Sequence, residues 1–408
     1  MVPIPCCAGL DLHKETVVAC LRHAVPGAPT RVLRKVFGTF ADHLAELREW
    51  LLEHKVTHVA MEGTGTLWIP VYAALEGAFD LTLCNAHHVK NVPGRKTDQS
   101  DAAWLAQLLA QGLLAKSFVP DATVRIAREL TRTRVMLVED RARAVNHLHR
   151  LLDAIGVRLG SVVSDLQGTS AQLILRALAD GVTDATQLAA LAKGRLTKKK
   201  ELLRRAVAVE LRPSDRYLID LWLRQLAQFG AEIEALDTLI AGALAPYTAE
   251  LTLLQTVTGM DVVAASALLA EIGVDMTAFA DAHHLASWAG LCPGQRESAG
   301  KSKGGRPRRG NPFVKRILVQ VAWLLTRMKD HPWQGHFRAL VVRRGTKKAL
   351  LALAHQLLRA IFHILRHRTP FQPANRPPLT ERQKTRRRER LLDQLQELGY
   401  VVDVREAA

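Results

Sequence analysis

The sequence predicts an α/β fold that gives way to an all-helical one: an N-terminal mixed sheet, then central long helices or a coiled coil, then a mainly helical C-terminal unit. Three observations predict it. Short apolar runs alternate with helix-period segments up to about residue 120. From Val124 to Ala245 strand signals vanish and long apolar stretches recur at helical spacing, with charges between them. Beyond Leu251 the apolar pattern stays helical and is broken once, by a segment rich in Gly and Arg. The boundaries that follow are 1–123, 124–248, 249–370 and a tail, 371–408.

The elements can be taken in order. "CCAGLDLHK", "TVVACLRH" and "RVLRKVFGTF" are apolar runs separated by polar turn residues, which predicts three strands in an antiparallel meander. "DHLAELREWLLEHK" places Leu44, Leu47, Leu51 and Leu52 on one helical face. "VTHVAMEG" returns to a buried strand, "LWIPVYAALEG" reads as a second helix, "DLTLCNA" as a fifth strand, and Asp98 to Gly112 as a third helix closing the unit. The central helices are "ARELTRTRVMLVEDRARAVNHLHRLLDAIG" and "DRYLIDLWLRQLAQFGAEIEALDTLIAGAL"; between them "KGRLTKKKELLRR" is a dense basic stretch, read as a solvated face or as a contact for nucleic acid. The tail, "RPPLTERQKTRRRERLLDQLQELGYVVDVREAA", is Pro-rich and then basic, and is expected to order on binding.

Charge narrows the function. The 408 residues hold 56 Lys and Arg against 39 Asp and Glu, a net charge of +17 that points to a polyanionic partner, with nucleic acid first. No uncharged apolar run reaches the roughly 18 residues of a membrane span, and "MVPIPCCAGLDLHK" lacks the basic start and apolar stretch of a secretory signal, so the expected compartment is the cytoplasm. Five scattered cysteines without a CxxC pair argue against a disulfide framework and a structural zinc site.

The stretch "VPGRKTDQSDAAWLAQLL" sets Asp98 and Asp101 three apart. On a helix they share one face at roughly 5 to 6 Å between Cβ atoms and repel unless a cation sits between them. A helix cap at Asp98 with Asp101 favouring the helix dipole is the plainer reading. Two further carboxylates weigh against it: Asp11 sits in the first apolar strand, where an unpaired charge is costly, and Glu62 ends the strand "HVAMEG". Strand ends and helix starts meet at one crevice of an α/β sheet. Four carboxylates there would hold two divalent metals roughly 3.5 to 4 Å apart for phosphodiester chemistry, and hard oxygen ligands favour magnesium.

In this order and at these separations, "GLDLHK", "AMEGTGTLW" and "GRKTDQSDAAWLAQLL" resemble the Asp, Glu, Asp, Asp set of the RuvC-like domain in DEDD transposases of the insertion sequence IS110 family, a likeness running from about Ala8 to Trp323. The resemblance implies a ribonuclease-H-like first domain with Asp11, Glu62, Asp98 and Asp101 as ligands for Mg2+. Arg95 and Lys96 would then meet the phosphate backbone.

Further on, "LLQTVTGMDVVAASALLAEIG" turns at Gly259 and resembles the family's helix-hairpin-helix, with Asp261 where a second glycine is usual. It is read either as a phosphate contact or as a structural hairpin. In "GLCPGQRESAGKSKGGRPRRGNPFVKRILVQVAW", Arg296, Lys301, Lys303, Arg306, Arg308 and Arg309 crowd a Gly-rich loop, and Asn311 with Pro312 forms a cap and first residue for the next helix. A serine there is ordinarily a turn residue. Similarity of "ESAGK…GRPRRGN" to the family's serine motif puts Ser298 at the place of the catalytic nucleophile, with Ser302 as the second choice. His283 and His284 read as surface or core residues. The resemblance also implies a covalent phosphoserine, a centre composed from separate domains of a homo-oligomer (dimer or tetramer), and a structured noncoding RNA bridging donor and target DNA. Two competing readings are a water-using, metal-dependent DNA endonuclease and a non-enzymatic nucleic-acid-binding protein.

Overall fold

A computed structural model of the 408-residue chain describes residues 4–24, 29–85, 89, 100–292, 297–298, 301–302, 310–328, 332–372 and 381–401. The chain divides into two compact units, Met1–Val119 and Pro120–Ala408.

The first unit is built on a five-stranded sheet of order β3-β2-β1-β4-β5. Its strands are β1 (Cys6–Leu12), β2 (Thr16–His23), β3 (Arg31–Gly38), β4 (His58–Glu62) and β5 (Asp80–Cys84). The meander β1-β2-β3 is antiparallel, while β4 pairs parallel to β1 and β5 parallel to β4. This is the mixed sheet expected of the α/β part. Helices α1 (Ala41–Glu53) and α2 (Trp68–Leu75) cover one face, where Leu44, Leu47, Leu51, Val71 and Leu75 pack against Leu10, Val59, Met61, Leu81 and Leu83. Helix α3 (Asp101–Ala110) covers the other face. It is shorter than the helix expected from Asp98 to Gly112, because Ser100 caps it by accepting a hydrogen bond from the Ala103 amide. A serine in extended backbone with a free hydroxyl is a strong start signal, and it overrides the longer apolar pattern.

Gly9 sets how closely α3 approaches β1. A Cβ there would lie 2.2 Å from the Ala102 carbonyl oxygen and 2.5 Å from the Ala106 nitrogen, both backbone atoms. The Cys7 thiol donates to the Ala106 carbonyl at 3.4 Å, and the Ile4 amide donates to the Ala110 carbonyl at 3.1 Å. The helix therefore runs antiparallel to β1, with its N-terminus over the strand's carboxyl end.

The second unit is helical, as expected: α4 (Ala122–Ala154), α5 (Leu159–Val162), α6 (Thr169–Ala179), α7 (Ala185–Ala190), α8 (Lys200–Val207), α9 (Pro213–Ala243), α10 (Thr248–Gln255), α11 (Val262–Ile272), α12 (Ala282–Trp288), α13 (Pro312–Arg327), α14 (Pro332–Arg344), α15 (Thr346–His367) and α16 (Glu381–Glu397). The long helices α4 and α9 lie antiparallel. His147 stacks on Trp222 with ring centroids 5.0 Å apart, and further along Arg134 grips Asp237, its Nη2 3.0 Å from Oδ2. Helices α5 to α8 bury Leu159, Ile174, Leu188 and Leu203 against one end of this pair. The basic stretch there forms a short 3-10 turn, Gly194–Lys199, with Lys198, Lys199 and Lys200 exposed. Among the described residues one helix, Thr346–His367, is long and apolar enough to span a membrane, and half of its most apolar stretch is buried within the fold. The tail, expected to order on binding, already carries α16.

One buried carboxylate ties this unit together. Glu271, 1% exposed at the end of α11, accepts from Arg132 of α4 at 2.7 and 2.8 Å and from the Asn311 side-chain amide at 2.6 Å. Asn311 also caps α13, accepting from the Phe313 and Val314 amides, with Pro312 at the first position as the sequence predicts. Arg128 closes the end of α11 through the carbonyls of Ala270 and Glu271 at 3.0 and 2.7 Å.

Four outcomes are expected. Gly9→Ala should lower stability by about 2 kcal/mol or more in denaturant unfolding, because a helix backbone cannot move aside as a side chain can. Glu271→Ala should cost roughly 3 kcal/mol in the same measurement, since it strands Arg132 and Arg128. Cys6, Cys7, Cys20 and Cys84 are buried and Cys292 is partly exposed, so native protein should yield one rapidly reacting thiol at pH 8 and five after unfolding. Burial pushes Cys7 up to about 11 and Cys84 up to about 12. Between roughly pH 9, the ordinary thiol value here, and those values the unfolded chain loses these protons first, so stability should fall as pH rises.

Candidate functional site

The strand register brings the first two predicted carboxylates together. In the parallel β1-β4 pair, Gly9 lies opposite Ala60 and Leu10 opposite Met61. One step further, at the carboxyl ends of both strands, the same register sets Asp11 beside Glu62. Alternation along a strand puts Cys7, Gly9 and Asp11 on one face, and Ala60 and Glu62 on that same face. It is the face under α3, whose direction carries Asp101, the residue before Ala102, to this corner. Three of the four predicted carboxylates thus share one end of one face of the sheet.

Each is held by a neighbour. His13 Nε2 lies 3.2 Å from Asp11 Oδ2, and the Thr64 hydroxyl donates to Glu62 Oε1 at 2.7 Å. Asp101 occupies the first turn of α3, where the helix dipole favours a negative charge. The plainer reading of the aspartate pair is half right: Asp101 sits at the dipole, but the cap is Ser100. Asp98 lies outside the described residues, as do Arg95 and Lys96.

The donor set is one of hard oxygens. Cys84 pairs with Glu62 across β4-β5, but burial, with the Glu62 charge adding to it, holds its thiol protonated up to about 12. The thiol donates instead to the Met61 carbonyl at 3.2 Å. Oxygen donors of this kind are the ones hard divalent cations such as Mg2+ take. Among the described residues no group of three or more His, Cys, Asp or Glu side chains is close enough to hold a metal as it stands. The sequence reading missed His13, Thr64 and Ser100. Only Ser100 had a visible signal, a Ser just ahead of an apolar helix.

In the second unit, Ser298 lies not in a loop but in a small antiparallel ribbon. Glu297–Ser298 (β6) pairs with Lys301–Ser302 (β7), with Ser298 opposite Lys301 and Glu297 opposite Ser302. Two residues, Ala299 and Gly300, separate them in the sequence. Arg296, Lys303, Arg306, Arg308 and Arg309 lie outside the described residues. Gly310, beyond the basic run, packs so tightly that a Cβ would lie 2.3 Å from the Gly290 nitrogen. The two ends of the segment carrying Ser298 are thereby pinned side by side.

The helical hairpin is present as α10 and α11, with Gly259 at φ +82° in the turn. Asp261 caps α11 by accepting from the Ala264 amide at 2.8 Å. A carboxylate at that helix start occupies a donor and repels phosphate, which favours the structural reading of the hairpin. His283 and His284 lie in the first turn of α12. Their amides donate to the cap Asp281, and His284 Nδ1 is 3.0 Å from the same carboxylate.

Two stretches of the chain match known protein families. Residues 8–157, which include Asp11, Glu62, Asp98 and Asp101, match the DEDD-type transposase domain of IS110 elements. Residues 251–338, which include the hairpin and the Ser298 ribbon, match the transposase IS116/IS110/IS902 family. The chain is 28% identical to an "Insertion element IS900 uncharacterized 42 kDa protein" of Mycobacterium paratuberculosis, over 68% of this chain and 73% of that one. With both matches present and in this order, the chain carries the two transposase domains of the IS110 family of insertion sequences.

Proposed function

We propose that the protein is a magnesium-dependent DNA recombinase that exchanges strands through a covalent phosphoserine. The observation that carries this reading is the convergence of Asp11, Glu62 and Asp101 on one corner of the sheet. Three carboxylates brought to one end of one sheet face offer oxygens that fit Mg2+, with Asp98 as the fourth ligand. When bound, Mg2+ supplies Lewis-acid stabilisation to a phosphodiester under attack.

Ser298 is the nucleophile of this proposal. Its Oγ attacks phosphorus, the bond to the departing strand breaks, and the serine proton passes to the oxygen that leaves. The phosphodiester energy is kept in the serine ester, so a second strand's hydroxyl can religate without outside energy. The antiparallel ribbon supports the assignment, since backbone pairing of Ser298 with Lys301 sets the serine beside one of the basic residues. Arg296, Lys301, Lys303, Arg306, Arg308 and Arg309 would neutralise the phosphates around it, and Arg95 and Lys96 would do so beside the carboxylates. In this reading residues 1–123 bind metal, 124–248 form the helical arm, 249–370 bear the serine, and 371–408 form a basic tail. A structured RNA partner, a dimer or tetramer and a cytoplasmic site of action follow from the resemblance, and the +17 charge accords with the first.

The test is an adduct assay. Full-length protein is incubated with Mg2+, element-derived RNA and labelled DNA carrying an element end, then denatured. The expected result is DNA retained on protein, abolished by Ser298→Ala and by Asp11→Ala and kept by Ser302→Ala. Retention abolished by Ser302→Ala instead would move the nucleophile to Ser302. Free cleaved ends without any adduct would establish the water-using endonuclease.

A further inference from the structure

Trp104 stands out among the seven tryptophans of the chain as the fully buried one, 4% exposed. Its indole N–H has no hydrogen-bond partner among the described residues. Buried donors without partners are rare in native folds, and each calls for a reason. Packing alone does not supply one, because phenylalanine would fill an apolar site without burying a donor.

Its position supplies the reason. Trp104 follows Asp101 by three residues on α3, so the two share a helix face. Helical side chains lean toward the N-terminus, which carries the indole toward the turn that bears Asp101. Trp104 packs with Cys7, Ala60, Cys84 and Leu108 beneath α3. Of these, Ala60 is two residues before Glu62 on the same face of β4, and Cys84 is Glu62's partner in the β4-β5 register. The indole thus lies in the layer just under the acidic corner. Thr64 engages Glu62 at Oε1, and among the described residues Oε2 is left for another donor.

We propose that Trp104 is a positioning residue of the acidic corner: its indole N–H donates to the Glu62 carboxylate once a divalent cation draws the carboxylates together, fixing which oxygen of Glu62 faces the metal. The inference rests on the metal-site reading above. Outer hydrogen bonds of this kind orient ligating carboxylates, and their loss costs metal affinity rather than fold.

The experiment uses Trp104→Phe, which keeps the ring and removes the donor, in the full chain with Mn2+ as the probe. Thermal unfolding without metal should be unchanged or slightly raised, while the Kd for Mn2+, read from the metal-dependent shift in Tm, should rise about tenfold. Asp11→Asn should abolish the shift. A Kd equal to wild type in Trp104→Phe overturns the inference and leaves the metal site standing. No Mn2+ shift in the wild type overturns the metal site and the inference with it. Should Trp104→Phe fail to fold, indole-15N spectra of the wild type decide the matter, the buried Trp104 signal being the slowest to exchange with solvent. That signal must move downfield on saturation with Mg2+ and stay in place in Asp11→Asn; a signal unmoved in the wild type overturns the inference.

Discussion

The closest constraint in the first unit is a backbone-to-backbone contact. At Gly9 the chain of β1 touches the chain of α3 with no room for a side chain. That contact fixes the distance of the helix from the sheet, and the thiol bond from Cys7 and the amide bond from Ile4 fix its direction. Direction and distance together carry Asp101 to the ends of β1 and β4. Had a larger residue stood at position 9, α3 would ride higher on the sheet and the third carboxylate would leave the corner. The acidic site is thus a consequence of how tightly one helix packs, more than of any feature of the carboxylates themselves.

In the second unit the corresponding part is played by Glu271. A carboxylate that is fully buried is tolerable only when every lone pair is engaged. Here Arg132 and Asn311 engage it from two other helices. Because Asn311 also caps α13, the ion pair sets where the helix following the basic segment begins. The Ser298 ribbon therefore lies between two fixed points, the packed turn at Gly290 and the capped start of α13. The Arg132 guanidinium also sits 4.3 Å from the centre of the Phe313 ring, which adds a further hold on the same helix.

The layer beneath the acidic corner is apolar. Cys7 and Cys84 line the apolar layer below the carboxylates, and burial keeps both thiols neutral across the physiological range. They therefore fill space as small apolar residues. The sheet's other face contributes only packing, through α1 and α2.

The sequence by itself determined the order of elements in the first unit and the helical character of the second, because both rest on local periodicity that a single chain displays. The strands from Cys6, Thr16, Arg31, His58 and Asp80 all lie within their apolar runs. It also determined that Asp11 and Glu62 end apolar strands and that Asn311 and Pro312 start a helix. Tertiary structure decided what those positions meet. The pairing of Asp11 with Glu62 depends on the parallel register of two strands separated by β2, β3 and α1, and nothing local encodes that register. The helix of the paired aspartates starts at Asp101 because one hydroxyl at Ser100 outweighs the apolar pattern around it. Glu271, Arg132 and Asn311 are scattered across the chain and carry no shared motif; only burial makes their mutual attraction worth its desolvation cost. Local chemistry is written along the chain, whereas the value of a charge depends on what surrounds it after folding.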